Sequence, residues 1–327
     1  MKLYQDKYIV VTGGAGFIGS NVVRALNKRG MRNVIIVDNL GTSEKWKNLV
    51  GKQFVDVIHK DNFFKWLEGR GDEIEAFIHL GACSSTVETD ANYLLENNYR
   101  YTVRLAEYAL SYNCRFLYAS SASTYGDGSL GFVDNHDKIE TLSPLNMYGY
   151  SKQLFDLWVK QEGVLNQVVG LKYFNVYGPN EYHKGRMCSA IVKWVPDVLN
   201  KGSIQLFKSD TTEFGDGEQK RDFIYVEDCA KMTLAFLENN ATGIYNIGTG
   251  RAATWNDLAN ATFKALGKKP NIIYIDMPAD LKGKYQNFTQ ADMTKTAKVL
   301  GKQADTMPLD DAVADYINNY LTKDARA

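Results

Sequence analysis

The sequence predicts an α/β protein: a doubly wound parallel sheet that takes up most of the chain, with a smaller α/β unit formed by later segments. Three observations predict it. Short apolar, β-branched runs alternate with stretches of helical periodicity through the first half of the 327 residues. A glycine-rich turn sits between the first such run and the first such helix. An acid closes the second run, about twenty residues further on.

The elements follow in order. Tyr8–Thr12 reads as the first strand and passes directly into Gly13, Gly16 and Gly19, spaced G-x-x-G-x-x-G. Ser20–Arg29 then reads as a helix, with Val22, Val23 and Leu26 on one face. The first glycine permits the tight turn, the second lets backbone approach a pyrophosphate, and the third lets helix and strand pack closely; the helix N-terminus offers N–H groups and a positive dipole end to phosphate. The next strand, Asn33–Val37, ends at Asp38, where an acid hydrogen-bonds an adenosine ribose and favours NAD. Lys45 and Lys60 follow, and either would receive the 2′-phosphate of NADP, so both nicotinamide cofactors stay open.

Ala76–Leu80 reads as a buried strand delivering Gly81-Ala82-Cys83, small residues that let a cofactor pass close by. A helix is expected over Ala91–Tyr112, carrying Asn97, and then a strand over Arg115–Ala119 leading into the hydroxyl cluster Ser120 to Thr124. Beyond Pro144 comes the helix that holds Tyr148 and Lys152. Residues four apart lie on one helical face, and an ammonium beside a phenol lowers its pKa from about 10 toward neutrality. That pair makes a general base for an alcohol proton. Leu309–Tyr320 reads as a last amphipathic helix.

Bulk properties exclude several classes. Hydrophobic content of 45% and charged content of 23% are those of a globular protein. Lys plus Arg equals Asp plus Glu at 38 each, so no global field draws in nucleic acid or an anionic membrane. No run approaches the roughly 18 apolar residues of a membrane span. The charged N-terminus is unlike a signal peptide, and Cys83, Cys114, Cys188 and Cys229 lack paired spacing, so a cytoplasmic protein with reduced thiols is expected. Four scattered histidines give no metal-site spacing, and no metal is expected.

Three motifs of the second half make a resemblance specific. They are Lys172-Tyr173-Phe174-Asn175-Val176-Tyr177-Gly178-Pro179-Asn180, the segment Arg221-Asp222-Phe223-Ile224-Tyr225-Val226-Glu227-Asp228, and Tyr245-Asn246-Ile247-Gly248-Thr249-Gly250. With the glycine turn, serine cluster and Tyr-Lys pair, they make the chain resemble the extended short-chain dehydrogenase/reductases, the Rossmann-type nucleotide-sugar epimerases and dehydratases. Further stretches, His79 to Thr86, Glu181 to Met187 and Lys282 to Asp292, are similar to the branch that epimerises an ADP-linked heptose for lipopolysaccharide core synthesis. The resemblance spans nearly the whole chain.

It implies an isomerase that oxidises the carbinol at C6″ by hydride transfer to tightly bound NADP, or NAD, and returns the hydride to the other face. Tyr148 would serve one face and Lys184 the other, Lys152 would hold the nicotinamide ribose, and Ser121 would hold the reacting oxygen in preference to Ser120. Phe17, Ile18, Asp38, Asn39, Lys45, Lys60, Leu80 to Ser84 (with Gly81, Ala82 and Cys83 between), Asn97 and Val176 would line the cofactor beside Gly13, Gly16 and Gly19. Asn175, Arg186, Lys193, Phe207, Lys208, Ser209, Asp210, Arg221 and Tyr285 would line the nucleotide-sugar, Arg221 as a planar fork for diphosphate. Arg186 and Lys193 replace a serine and a histidine of one branch, and the 209–220 loop is longer, with acidic Glu213, Asp216 and Glu218.

Residues 1–173 and 223–248 would form the cofactor domain and 174–222 and 249–327 the substrate domain, with the site in the cleft between them. A homo-oligomer, pentameric by the same resemblance, is expected. Two alternatives are another epimerase or dehydratase of the superfamily and a non-catalytic NAD(P)-sensing protein. Ala122, Ser123 and Thr124 after Ser121 lack the acid that a dehydratase would place there, and the presence of both Tyr148 and Lys152 argues against a sensor.

Overall fold

A computed structural model describes residues 6–278 and 286–327. The strands are β1 (Tyr8–Thr12), β2 (Val34–Asp38), β3 (Asp56–His59), β4 (Ile74–His79), β5 (Arg115–Ser121), β6 (Val168–Tyr173), β7 (Asn175–Tyr177), β8 (Ile204–Phe207), β9 (Lys220–Arg221), β10 (Phe223–Tyr225), β11 (Gly243–Ile247), β12 (Ala253–Thr254) and β13 (Ile272–Ile275). Seven of them form one parallel sheet in the order β11-β6-β5-β4-β1-β2-β3. The chain winds outward from β1 to β3, crosses back to β4 and then winds the other way. This reversal between β1 and β4 opens a crevice at the carboxyl ends of the strands, where such sheets hold their ligands.

Every residue of β2, β4, β6 and β11 is buried, so these strands are mainly apolar, with Glu75, His79, Lys172 and Asn246 as buried polar exceptions and Asp38 at the end of β2. Helices Phe17–Lys28 and Val226–Glu238 cover one face through Val22, Val23, Leu26, Cys229 and Met232. Helices Tyr101–Ser111 and Met147–Gln161 cover the other through Leu105, Ala106, Phe155 and Val159.

A second core joins helices Ala190–Lys201, Trp255–Ala265 and Leu309–Asn319 to strands β8 and β10. The expected last helix is present, with Ala312, Val313, Tyr316 and Ile317 on its buried face. Thr254 and Asp257 close a capping box at the start of the middle helix.

The helix expected over 91–112 is instead three pieces: Ala91–Leu94, a π turn at Leu95–Arg100, and Tyr101–Ser111. The extra residue of a π turn re-aims side chains. Here Asn98 holds Cys83 at both ends of its amide, accepting from the Cys83 N–H at 2.8 Å and donating to its carbonyl at 2.9 Å. The four cysteines are unpaired thiols. Among the described residues no helix is long and apolar enough to cross a membrane.

Candidate active site

The crevice at the sheet's carboxyl edge is a cleft of about 450 Å³. Gly13, at φ +67°, forms its floor, and a Cβ there would lie 2.8 Å from the Gly81 nitrogen. A Cβ on Gly19 would lie 2.1 Å from the Gly13 carbonyl oxygen, so only glycine lets the helix start this close to the turn. No side chain caps helix Phe17–Lys28, and its first turn carries no acid. This is the cradle that a pyrophosphate fits, with Gly16, Phe17 and Ile18 also on its wall.

Toward the outer strands, Asp38, Asn39, Lys45 and Lys60 line the same cleft. Asp38 is buried and its carboxylate is fully engaged: it accepts from Ala15 N–H at 2.9 Å, from Asn39 N–H at 2.7 Å, and from the Lys45 ammonium. Lys60 donates to the Asn97 side chain at 3.2 Å. Leu80, Gly81, Ala82, Cys83, Ser84 and Val176 complete the cofactor side predicted from sequence, and all of these positions face the one cleft.

Ser121, Tyr148 and Lys152 stand at its inner end. Asn146 caps helix Met147–Gln161 by accepting from Gly149 N–H at 2.9 Å. A Cβ on Gly149 would lie 2.7 Å from the Ser123 carbonyl oxygen, so this glycine lets the Tyr148 turn approach the serine cluster. Ser120 also lines the cleft, but its hydroxyl is engaged, donating to Asp156 at 2.8 Å. Asp156 also accepts from Tyr118 at 2.9 Å and from the buried Lys172 ammonium at 2.6 Å. Ser121 accepts from Ser123 N–H at 3.1 Å and is hydrogen-bonded to Tyr148.

The expectation of a lowered Tyr148 pKa is corrected. Burial raises it, and the hydrogen bond with Ser121 only partly offsets the rise. Lys152 is also buried, and burial lowers its pKa to about 8, with the Asp156 carboxylate pulling the other way. Its ammonium donates to the Ala119 carbonyl at 2.9 Å. Both groups sit in one poorly solvated wall, where loss of water disfavours phenolate and ammonium alike.

Lys184 lies on the 3₁₀ segment Tyr182–Met187, kinked at Gly185 with φ +54°. Its ammonium is 5.2 Å from the centre of the Phe17 ring, which brings it to the same cleft. Its neighbour His183, which no motif singles out as a site residue, lines the cleft as well. Burial, Lys45 and Lys184 lower the His183 pKa to about 4. Thr12, Tyr93, Tyr101, Tyr173 and Phe174 also line it. Thr12, Tyr173 and Phe174 follow from their places at strand ends, whereas Tyr93 and Tyr101 depend on the π turn, which no spacing announces.

The predicted sugar-side positions lie outside this lining. Arg186 and Lys193 are exposed, with Lys193 donating to the Arg186 carbonyl at 3.0 Å. Phe207 ends β8, Lys208 pairs with Asp276 at 2.9 Å, Ser209 N–H donates to Asp216 at 2.9 Å, and Asp210 is exposed. Arg221 is buried and donates to the Lys220 carbonyl at 2.9 Å; Asn175 accepts from Thr289 at 3.1 Å. Tyr285 lies outside the described residues, as does the stretch Lys282 to Lys284.

The family model of the NAD dependent epimerase/dehydratase family matches residues 9–248. The chain is 51% identical over 316 residues to ADP-L-glycero-D-manno-heptose-6-epimerase of Nitratidesulfovibrio vulgaris (strain DP4), covering 95% of this chain and 97% of that one. It is 45% identical over 328 residues to the protein of the same name from Fusobacterium nucleatum, covering 97% and 98%. The solved structure of the Helicobacter pylori ADP-L-glycero-D-manno-heptose-6-epimerase superposes with a TM-score of 0.80 at 28% identity, covering 96% of each chain.

Proposed function

The chain belongs to the NAD dependent epimerase/dehydratase family, and we propose that it inverts C6″ of ADP-D-glycero-β-D-manno-heptose, giving the L-glycero epimer used in lipopolysaccharide core synthesis. The observation that carries this reading is the meeting in one cleft of the glycine cradle, the Ser121–Tyr148–Lys152 set and the second cation, Lys184. The activity is an epimerisation, isomerase chemistry without net redox.

A nicotinamide cofactor supplies a hydride acceptor that returns what it takes. Gly13, Gly16 and Gly19 would hold its pyrophosphate. NADP is the form we favour, because Lys45 occupies the Asp38 carboxylate that would otherwise take the adenosine ribose, and Lys60, paired with Asp61 at 3.3 Å, brings a second ammonium to the same cleft. Ser121 would hold the C6″ oxygen while Tyr148 takes its proton. Lys152 would hold the ribose, and the Ser121 hydroxyl would offset part of what burial costs the Tyr148 phenolate. Once the ketone has formed, Lys184 would deliver the proton on the other face. Residues 1–173 and 223–248 would serve the cofactor, and 174–222 and 249–327 the nucleotide-sugar.

The test is incubation with ADP-D-glycero-D-manno-heptose without added reductant, following C6″ by NMR and identifying released cofactor after denaturation. Appearance of the L-glycero epimer and NADP(H) is expected. A protein that carried the cofactor and left this sugar unchanged would refute the substrate assignment.

A further inference from the structure

Asn48 sits on the 3₁₀ turn Glu44–Leu49, the same turn that presents Lys45 to Asp38, and is only 2% exposed. Its amide nitrogen faces acceptors from two segments far apart in sequence. It donates to the Ala15 carbonyl at 3.0 Å, within the glycine turn, and to the Asn180 carbonyl at 3.0 Å, at the root of the loop that carries Lys184. His183 Nδ1 lies 3.3 Å away and shares the same group. Two hydrogens for two carbonyls make Asn48 a bridge rather than a spacer.

The loop root needs such a bridge. Asn180 is fully buried and takes φ +78°, a left-handed conformation that a non-glycine residue keeps only when its surroundings impose it. Its side chain donates to Ser20 Oγ at 3.0 Å, and Asn21 donates to the Pro179 carbonyl at 3.0 Å. Residues 179–183 are thus sewn by side-chain amides onto the start of the phosphate-binding helix.

We propose that Asn48 is a positioning residue that ties the glycine turn to the Lys184 loop and so fixes the second proton-transfer group over the sugar. This rests on the reading of Lys184 given above. Asn48 touches neither proton donor directly. It acts by holding Asn180, just before the Lys184 turn, and His183 within it.

The experiment compares native and Asn48→Ala holoenzyme by backbone hydrogen exchange and by two rates. The reporters are the Lys184 amide, bonded to the Glu181 carbonyl at 2.9 Å, and the Cys188 amide, bonded to the Gly185 carbonyl at 3.2 Å. Exchange across 178–188 should rise about tenfold or more in the variant with NADP bound, against about twofold at most across 116–121 in β5. Inversion should fall about tenfold, while deuterium transfer from C6″-labelled sugar to nicotinamide, the step served by Tyr148, stays within about twofold. Unchanged exchange across 178–188, or equal loss of both rates, overturns the proposal. If Asn48→Ala does not fold, Asn48→Ser, which keeps one donor, should shift exchange and inversion in the same direction by about threefold, and no shift overturns the proposal equally. Lys184→Ala run alongside separates the two readings: inversion that survives it removes the role of Lys184, whereas inversion lost there and kept in Asn48→Ala removes the bridge alone.

Discussion

The two sides of the cleft are built differently. On the cofactor side, residues from β1, β2, β4 and β5 meet because parallel register fixes where each strand ends, as in Thr12 opposite Val37 and His79. On the sugar side the predicted residues are scattered over short strands, a helix and loops, and one of them, Asn175, is tied in through a buried aspartate. Asp222 accepts from Thr249 N–H at 2.7 Å, Thr249 Oγ1 at 2.8 Å, and the N–H groups of Gly250 and Ala291 at 3.0 Å. These partners lie up to 69 residues away in sequence. Its own N–H donates to Thr289, which in turn donates to Asn175. Register can be read along a chain. A hub like Asp222 is visible only once the chain has closed on it.

Substitutions on the two sides should differ accordingly. The largest effect is expected at Tyr148→Phe, which would remove the proposed proton-transfer group and little contact area: kcat should fall about a thousandfold with cofactor content unchanged. A variant that kept native turnover would remove the assignment of the inner end of the cleft. Next is Lys172→Met, which leaves the Asp156 carboxylate buried without its cation. Denaturant titration should show about 3–5 kcal/mol of lost stability, while the exposed sugar-side pair Lys208–Asp276, opened by Lys208→Met, should show less than about 1 kcal/mol.

Arg221→Ala should raise KM for the nucleotide-sugar about tenfold and leave kcat within about threefold, the signature of lost ground-state binding. A fall in kcat at constant KM would place Arg221 with the reacting groups instead. The smallest effect concerns pH. Lys152, pushed down to about 8, is charged below that value and neutral above it. The kcat/KM profile should therefore lose activity as pH rises through about 8. Lys152→Arg, whose guanidinium stays charged, should abolish that alkaline limb whatever its maximal rate. A limb that persisted in Lys152→Arg would belong to another group.

The sequence by itself determined the sheet and its cradle. Buried parallel strands must be rich in apolar residues, the turn after β1 must be glycine where a Cβ would meet Gly81 or Gly13, and a Tyr-Lys pair four apart must share a helical face. Each of these constraints is local and leaves its mark in spacing. Tertiary structure decided what spacing does not encode. It engaged the Ser120 hydroxyl with Asp156, leaving that of Ser121 for the cleft, and broke the helix at Leu95–Arg100 so that Asn98 could grip Cys83. It also reversed the expected shift at Tyr148, because the balance between a neighbouring charge and lost hydration depends on how much water the folded wall excludes, and no pair of residues carries that quantity alone.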